Sequence, residues 1–281
     1  LGGALAMVLV QLPVMFKKGM RYSMSLEWRH PEVVSYWKLF LPVMLGMSLT
    51  QINLMIIPTI FGSMVGKGAI TSLNYANRMM FIPLGMFGSA ISMAIFPTMS
   101  RMAAEGDMKG ADQVLSRGIR ATFIFSLPCT AFLMTAGLVS IRLVFGYGKF
   151  TYHDCYATAY ALMFFAIGLM GHSAIQTINR GFYARKDSMT PVLTGLIGLV
   201  ITVPLAWVLI KTPLKHGGIA LAISIATITN MCILLFLASR KLEINLGPIL
   251  SMFARTLVAA AAMGATGWAV GHAFNLNPHR F

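Results

Sequence analysis

Acid is what this sequence has least of: eight Asp and Glu in 281 residues, against 22 Lys and Arg. All eight lie in or close to connections between apolar stretches, so no carboxylate pair stands ready for acid–base chemistry. Cysteine is scarcer still, at three. Cys129, Cys155 and Cys232 have no paired spacing and two of them fall inside apolar runs, which argues against a disulfide framework or a zinc site. His153-Asp154-Cys155 offers three ligand types, but three consecutive loop residues rarely converge on one ion. No metal and no cofactor is expected, and no nucleophile and base stand at catalytic spacing. An enzyme is not expected.

Charge of either sign is thin. Charged residues are 11% of the chain and hydrophobic ones 57%, with a mean hydropathy of +0.74. A soluble domain carries about 25% charged residues; this one would lack the polar side chains to cover its surface. The apolar runs are continuous over about 20 residues, where barrel strands would alternate over about 10. An all-α polytopic membrane protein is the expected class.

The runs fall at 1–16, 37–62, 69–97, 117–145, 156–180, 191–211, 217–239 and 248–273. Lys and Arg crowd the connections between them, and rich connections alternate with poor ones. The positive-inside rule then puts 17–36, 98–116, 181–190 and 240–247 in the cytoplasm. That distribution accounts for the net charge of +14 without nucleic acid as a partner. The opening LGGALAMVLVQLPVMF lacks a basic n-region and a cleavage site, so it reads as the end of a membrane helix, not a signal peptide. The chain is expected to be the C-terminal portion of a longer protein, with 17–36 as the linker between two halves. Thr190 and Pro191 are expected as N-cap and first residue of one helix. Pro58, Pro83 and Gly85 punctuate others, at breaks that lipid tolerates only where neighbours satisfy the freed backbone groups.

Against this background the stretch SLNYANRMMFIP, residues 72–83, is out of place. Arg78 lies nine residues into its apolar run, which at about 1.5 Å per residue is roughly 14 Å deep. A charge near the centre of a bilayer costs about 3 kcal/mol or more. Thr71, Asn74 and Arg78 are spaced three and four apart and share a helical face. Gln51 and Asn53 lie near the middle of the preceding run. With no acid inside any run, the counter-charge of Arg78 is expected from a bound anion or from a part of the protein outside this sequence. Arg78, Asn74, Asn77, Gln51 and Asn53 are the expected substrate contacts. The stripe His172, Gln176 and Asn179 or Arg180 also follows helical spacing, but its lower end nears the interface and it is read as a solvated face. GSMVGKG, residues 62–68, imitates a phosphate loop. It has three residues where the motif needs four and Gly68 where it needs Ser or Thr; it is expected to be a turn.

Two segments carry a resemblance. Tyr75-Ala76-Asn77-Arg78, Pro83-Leu84-Gly85 and Pro97-Thr98-Met99-Ser100 resemble the eighth helix and following loop of the MurJ (MviN) family of the MOP exporter superfamily. INRGFYARKDSMTPV, residues 178–192, is similar to a second segment of the same family. The resemblance implies two six-helix lobes around a cavity, followed by two further helices. It places 1–16 at the end of helix 6, 37–239 as the C-terminal six-helix lobe, and 240–281 as helix 13. It implies flipping of lipid II, a pyrophosphate-linked cell-wall precursor, across the bacterial inner membrane, with the preceding lobe as partner. The family's matching arginine lines the cavity and is implicated in holding the pyrophosphate. Some members carry an acid three residues later; here Phe81 stands in that place. A related polysaccharide-lipid flippase or a MATE-like multidrug exporter is the alternative cargo class. An exporter of cationic drugs should show intramembrane acids, and a mere scaffold would not need Arg78.

Overall fold

The computed structural model describes residues 9, 10, 12, 13, 16, 17 and 30–273. The expected helix end at 1–16 and linker at 17–36 fall mostly outside the described residues, as do 274–281. Contacts divide the chain into two compact units, Leu1–Phe40 and Leu41–Phe281. Within the first, Tyr36 stacks on Phe40 with ring centroids 5.2 Å apart, and Trp37 meets Phe40 edge-on.

The described residues are helical nearly throughout. In order come α1 (Pro31–Gln51), a π turn (Ile52–Ile56), α2 (Ile57–Val65), α3 (Ala69–Pro83), a second π turn (Leu84–Ser89) and α4 (Ala90–Ala104). Then follow α5 (Met108–Phe145), α6 (Tyr152–Ala184), α7 (Met189–Ile210), α8 (His216–Lys241) and α9 (Leu246–Ala273). Six helices among the described residues are long and apolar enough to cross a membrane, counting α3 through α4 as one rod, Ala69–Ala104. The chain is an all-α polytopic membrane protein.

Several helices outrun the apolar stretches that foretold them. α5 begins at Met108, within the expected connection at 98–116, because Asp107 caps it: its Oδ1 accepts from the Gly110 amide at 2.9 Å. A helix satisfies its own backbone, so it needs no apolar side chains to continue beyond the bilayer. Asp154, one of the three adjacent candidate ligands, closes a capping box with Thr151 at the start of α6. Only the last three residues of GSMVGKG form the expected turn, with Gly66 and Gly68 at φ 135 and 88, values that favour glycine; Gly62–Val65 are the end of α2.

α6 is the central element, packed against α5, α8 and α3. Small residues permit the approach to α8. A Cβ on Gly168 would lie 2.7 Å from Ser224 Oγ and 3.1 Å from Ser224 Cα, and one on Gly171 would meet Thr227 at 3.0 Å. Ser224 Oγ, on α8, also donates to the Phe164 carbonyl at 2.7 Å. Oil does not drive helices together in oil, so close backbone contact and interhelical hydrogen bonds carry this interface. Gly168→Val should therefore destabilise the lobe by about 1–3 kcal/mol, the usual cost of overpacking. A thermal melt in detergent tests this, and an unchanged midpoint would show that the helices can part freely.

The segment GFYARKDSMTPV, in the connection expected on the cytoplasmic side, becomes a clasp. Arg185 Nη2 donates to both carboxylate oxygens of Asp112 at 2.6 Å, and its Nη1 to the Lys241 carbonyl at 3.1 Å. Lys241 Nζ in turn reaches Asp187 at 3.2 Å and Thr190 Oγ1 at 2.7 Å. The start of α7 differs from expectation. Helix begins at Met189, and Asp187, not Thr190, supplies the capping oxygen, accepting from the Thr190 amide at 3.0 Å. Thr190 uses its hydroxyl as a donor to Asp187 at 2.6 Å, so both carboxylate oxygens of Asp187 accept from Thr190. Burial alone would raise the Asp187 carboxyl, but hydrogen bonds from Thr190 and Lys241 hold it below its usual range.

Candidate functional site

Proline sets the geometry of the site. Pro58 has no amide hydrogen to offer the Leu54 carbonyl four residues earlier. The chain widens there into the first π turn, and Asn77 Nδ2 on α3 reaches that carbonyl at 3.3 Å. Pro83 stands immediately before the second π turn, Leu84–Ser89. Single π turns inside longer helices concentrate at functional sites. Here Asn53 and Leu54 from one turn, and Leu84 from the other, line the same chamber.

That chamber has a volume of about 300 Å³. Gln51, Asn53, His172, Gln176, Asn179 and Asn230 give it a polar lining, and Phe81 forms part of its wall. His172 Nε2 lies 3.3 Å from Thr227 Oγ1, and Gln176 accepts from Ser89 Oγ at 2.9 Å. No charged side chain lines it. The amide oxygens of Asn53, Asn179 and Asn230 are buried without a protein partner among the described residues. A buried acceptor left unsatisfied costs about 1–3 kcal/mol, so three around one cavity mark a place built to meet donors from elsewhere.

The expected site residues divide. Gln51 and Asn53 line the chamber, while Arg78, Asn74 and Asn77 do not. Asn77 is 6% exposed and turned into the lobe, where it braces the first π turn. Thr71 and Arg78 are exposed and Asn74 is half-buried, as one shared helix face would have it. The Arg78 guanidinium lies 5.9 Å from the Tyr75 ring, and no acid pairs with it among the described residues. Phe81, in the chamber wall, follows Arg78 by three residues, so the arginine stands one turn away along the same side of α3.

Two expectations change here. The stripe given to solvent, His172, Gln176 and Asn179, faces the chamber; α6 is the centre of the bundle, so even its lower turns are enclosed. Asn230 was missed altogether, although a lone amide within LAISIATITNMCILLFLA was a visible signal.

A sequence model of the family Lipid II flippase MurJ matches residues 1–279. The chain belongs to the MurJ family. It is 31% identical over 280 residues to the probable lipid II flippase MurJ of Haemophilus influenzae, a match covering 95% of this chain and 53% of that protein. A solved structure of lipid II flippase MurJ in an inward closed conformation superposes with a TM-score of 0.69 at 23% identity, covering 93% of this chain and 58% of that one. A MOP superfamily transporter from Pyrococcus furiosus superposes with a TM-score of 0.67 at 15% identity, over 91% of this chain and 57% of that one. The chain thus spans about half the length of the MurJ relatives it matches. It has the fold of a MOP-type transporter lobe and is a multi-pass protein of the bacterial inner membrane.

Proposed function

We propose that this chain is the C-terminal part of a transporter that flips lipid II, an undecaprenyl-pyrophosphate-linked precursor of peptidoglycan, rather than a catalyst. Residues 37–239 would form the six-helix lobe, 240–281 an added helix, 17–36 the linker and 1–16 the end of a helix from a preceding lobe. The cavity would lie between the two lobes. One observation carries this reading: an exposed arginine without an acid stands one turn from an uncharged chamber rich in hydrogen-bonding groups. The division of labour follows from chemistry. Arg78, with Asn74 beside it, offers fork-shaped donors and charge to a pyrophosphate. Gln51, Asn53 and the α6 stripe offer amide groups to the hydroxyls and amides of a sugar-peptide head. Asn77 acts from behind, by holding the π turn that presents Asn53.

The relatives' names, lipid II flippase MurJ, support the cargo. A cationic-drug exporter is disfavoured by the absence of any acid from the chamber lining. An inside-negative membrane potential helps drive an anion outward, by about 2.3 kcal/mol per charge per 100 mV. Expressed at the full length of its relatives, the protein should restore growth and lipid II translocation in cells depleted of their own flippase. Correct membrane insertion with no translocation of lipid II would sink the proposal.

A further inference from the structure

A second concavity lies at the end of the lobe that the positive-inside pattern assigns to the cytoplasm, lined by residues other than those of the chamber. Its volume is about 480 Å³, and its walls are the first turns of α5 and the segment joining α8 to α9. Lys109, Arg117 and Arg120 bring positive charge to the α5 wall, with Ser116 between them; Glu243 and Asn245 stand on the other. Spacings of seven, four and three place Lys109, Ser116, Arg117 and Arg120 along one side of the helix.

The acids do not cancel this charge. Asp112, in the same wall, is already held by Arg185 through both of its oxygens at 2.6 Å. Glu243 forms no ion pair among the described residues, and neither does Lys109, Arg117 or Arg120. Three cations therefore face one unpaired acid. Arg120 is half-buried, and its Nε donates to the Ser116 carbonyl at 3.4 Å, which lays the side chain along the wall. Lys109 and Arg117 are exposed and Arg120 half-buried, and all three line one concave site.

Depth identifies the occupant. Arg117 and Arg120 are nine and twelve residues into α5, and the apolar part of the helix starts directly after them. The positive-inside pattern and the onset of the apolar run together place them near the cytoplasmic border of the hydrocarbon, the level of lipid headgroups. Basic pockets between membrane helices on this side hold anionic headgroups. We propose that the pocket between α5 and the α8–α9 connection binds the headgroup phosphate of an anionic phospholipid of the cytoplasmic leaflet. Arg117 and Arg120 make the direct contacts, Lys109 adds charge, and Glu243 sets an upper limit on affinity by repulsion.

Native mass spectrometry of the full chain in detergent, titrated with phosphatidylglycerol, tests this, with phosphatidylcholine as the neutral arm. Phosphatidylglycerol should bind the more tightly. The double variant Arg117→Gln/Arg120→Gln should weaken it by about tenfold or more, as expected for losing charge-assisted contacts. Arg117→Lys/Arg120→Lys should keep most of the binding, and Glu243→Gln should strengthen it. Equal binding of the two lipids, an unchanged affinity in the Gln variant, or no gain in Glu243→Gln would each overturn the site. Displacement of phosphatidylglycerol by equimolar inorganic phosphate would overturn the lipid in favour of a soluble phosphate compound. Should the Gln variant fail to fold, the Lys and Glu243→Gln variants still decide the matter.

Discussion

Alanine at Arg78 is expected to abolish transport while leaving the protein folded and inserted. The side chain is exposed and has no acidic partner among the described residues, so its removal leaves no buried acceptor stranded. On the proposed function, what is lost is the grip on the anion. Two charge-assisted hydrogen bonds at about 1.5–3 kcal/mol each correspond to a fall in substrate affinity of about a hundredfold or more. Arg78→Lys keeps the charge but not the planar fork, and should fall between the two. The measurement is growth of flippase-depleted cells carrying each full-length variant, with membrane levels followed by immunoblot. Normal growth on Arg78→Ala at normal levels would remove the arginine from the mechanism.

The second large effect is expected from Arg185, and it concerns stability. Its partner Asp112 has a side chain only 15% exposed, and Arg185 itself 22%. Removing one member of a buried pair costs about 3–5 kcal/mol, because the other charge is left in poor solvent. The remaining exposure of both groups puts Arg185→Ala at the lower end of that range. Arg185 also holds the Lys241 carbonyl at the end of α8, so the ends of α5, α6 and α8 should loosen together. Adding Asp112→Asn should recover much of the loss, since it removes the stranded charge. Melting of the two variants in detergent checks this. A double variant no more stable than Arg185→Ala would mean that the Lys241 contact, not the ion pair, does the holding.

Much of the fold could be read from the sequence because hydrocarbon allows so few solutions. Long apolar runs with basic connections have little choice but to be helices, and six of the runs are helices that meet the length and apolarity of a membrane span. Helix ends were less legible. Apolarity marks where the bilayer stops, while caps such as Asp107, Asp154 and Asp187 mark where helices begin. At the site, Arg78 stood out because a charge is conspicuous against oil. The chamber did not. His172, Gln176 and Asn179 repeat every three or four residues whether they face water or the lobe interior, and only the central position of α6 separates the two. Asn77 next to Arg78 looked like a ligand contact. Its partner is a backbone carbonyl 23 residues away that Pro58 leaves short of a donor, a relation between two helices that no local pattern encodes.

A π turn is one residue too many for its helix. Each residue carries about 100° of rotation, so the surplus fixes the phase between the two halves of a rod. Upstream of Leu84–Ser89 the rod is indexed by the grip of Asn77 on Leu54, and at its downstream end by Ser89 on Gln176. Excising one residue between these points would swing Ser89 and Ser92 more than a quarter revolution away from α6. Sliding the surplus along by one position would change which side chain the intervening turn presents while both anchors stay fast.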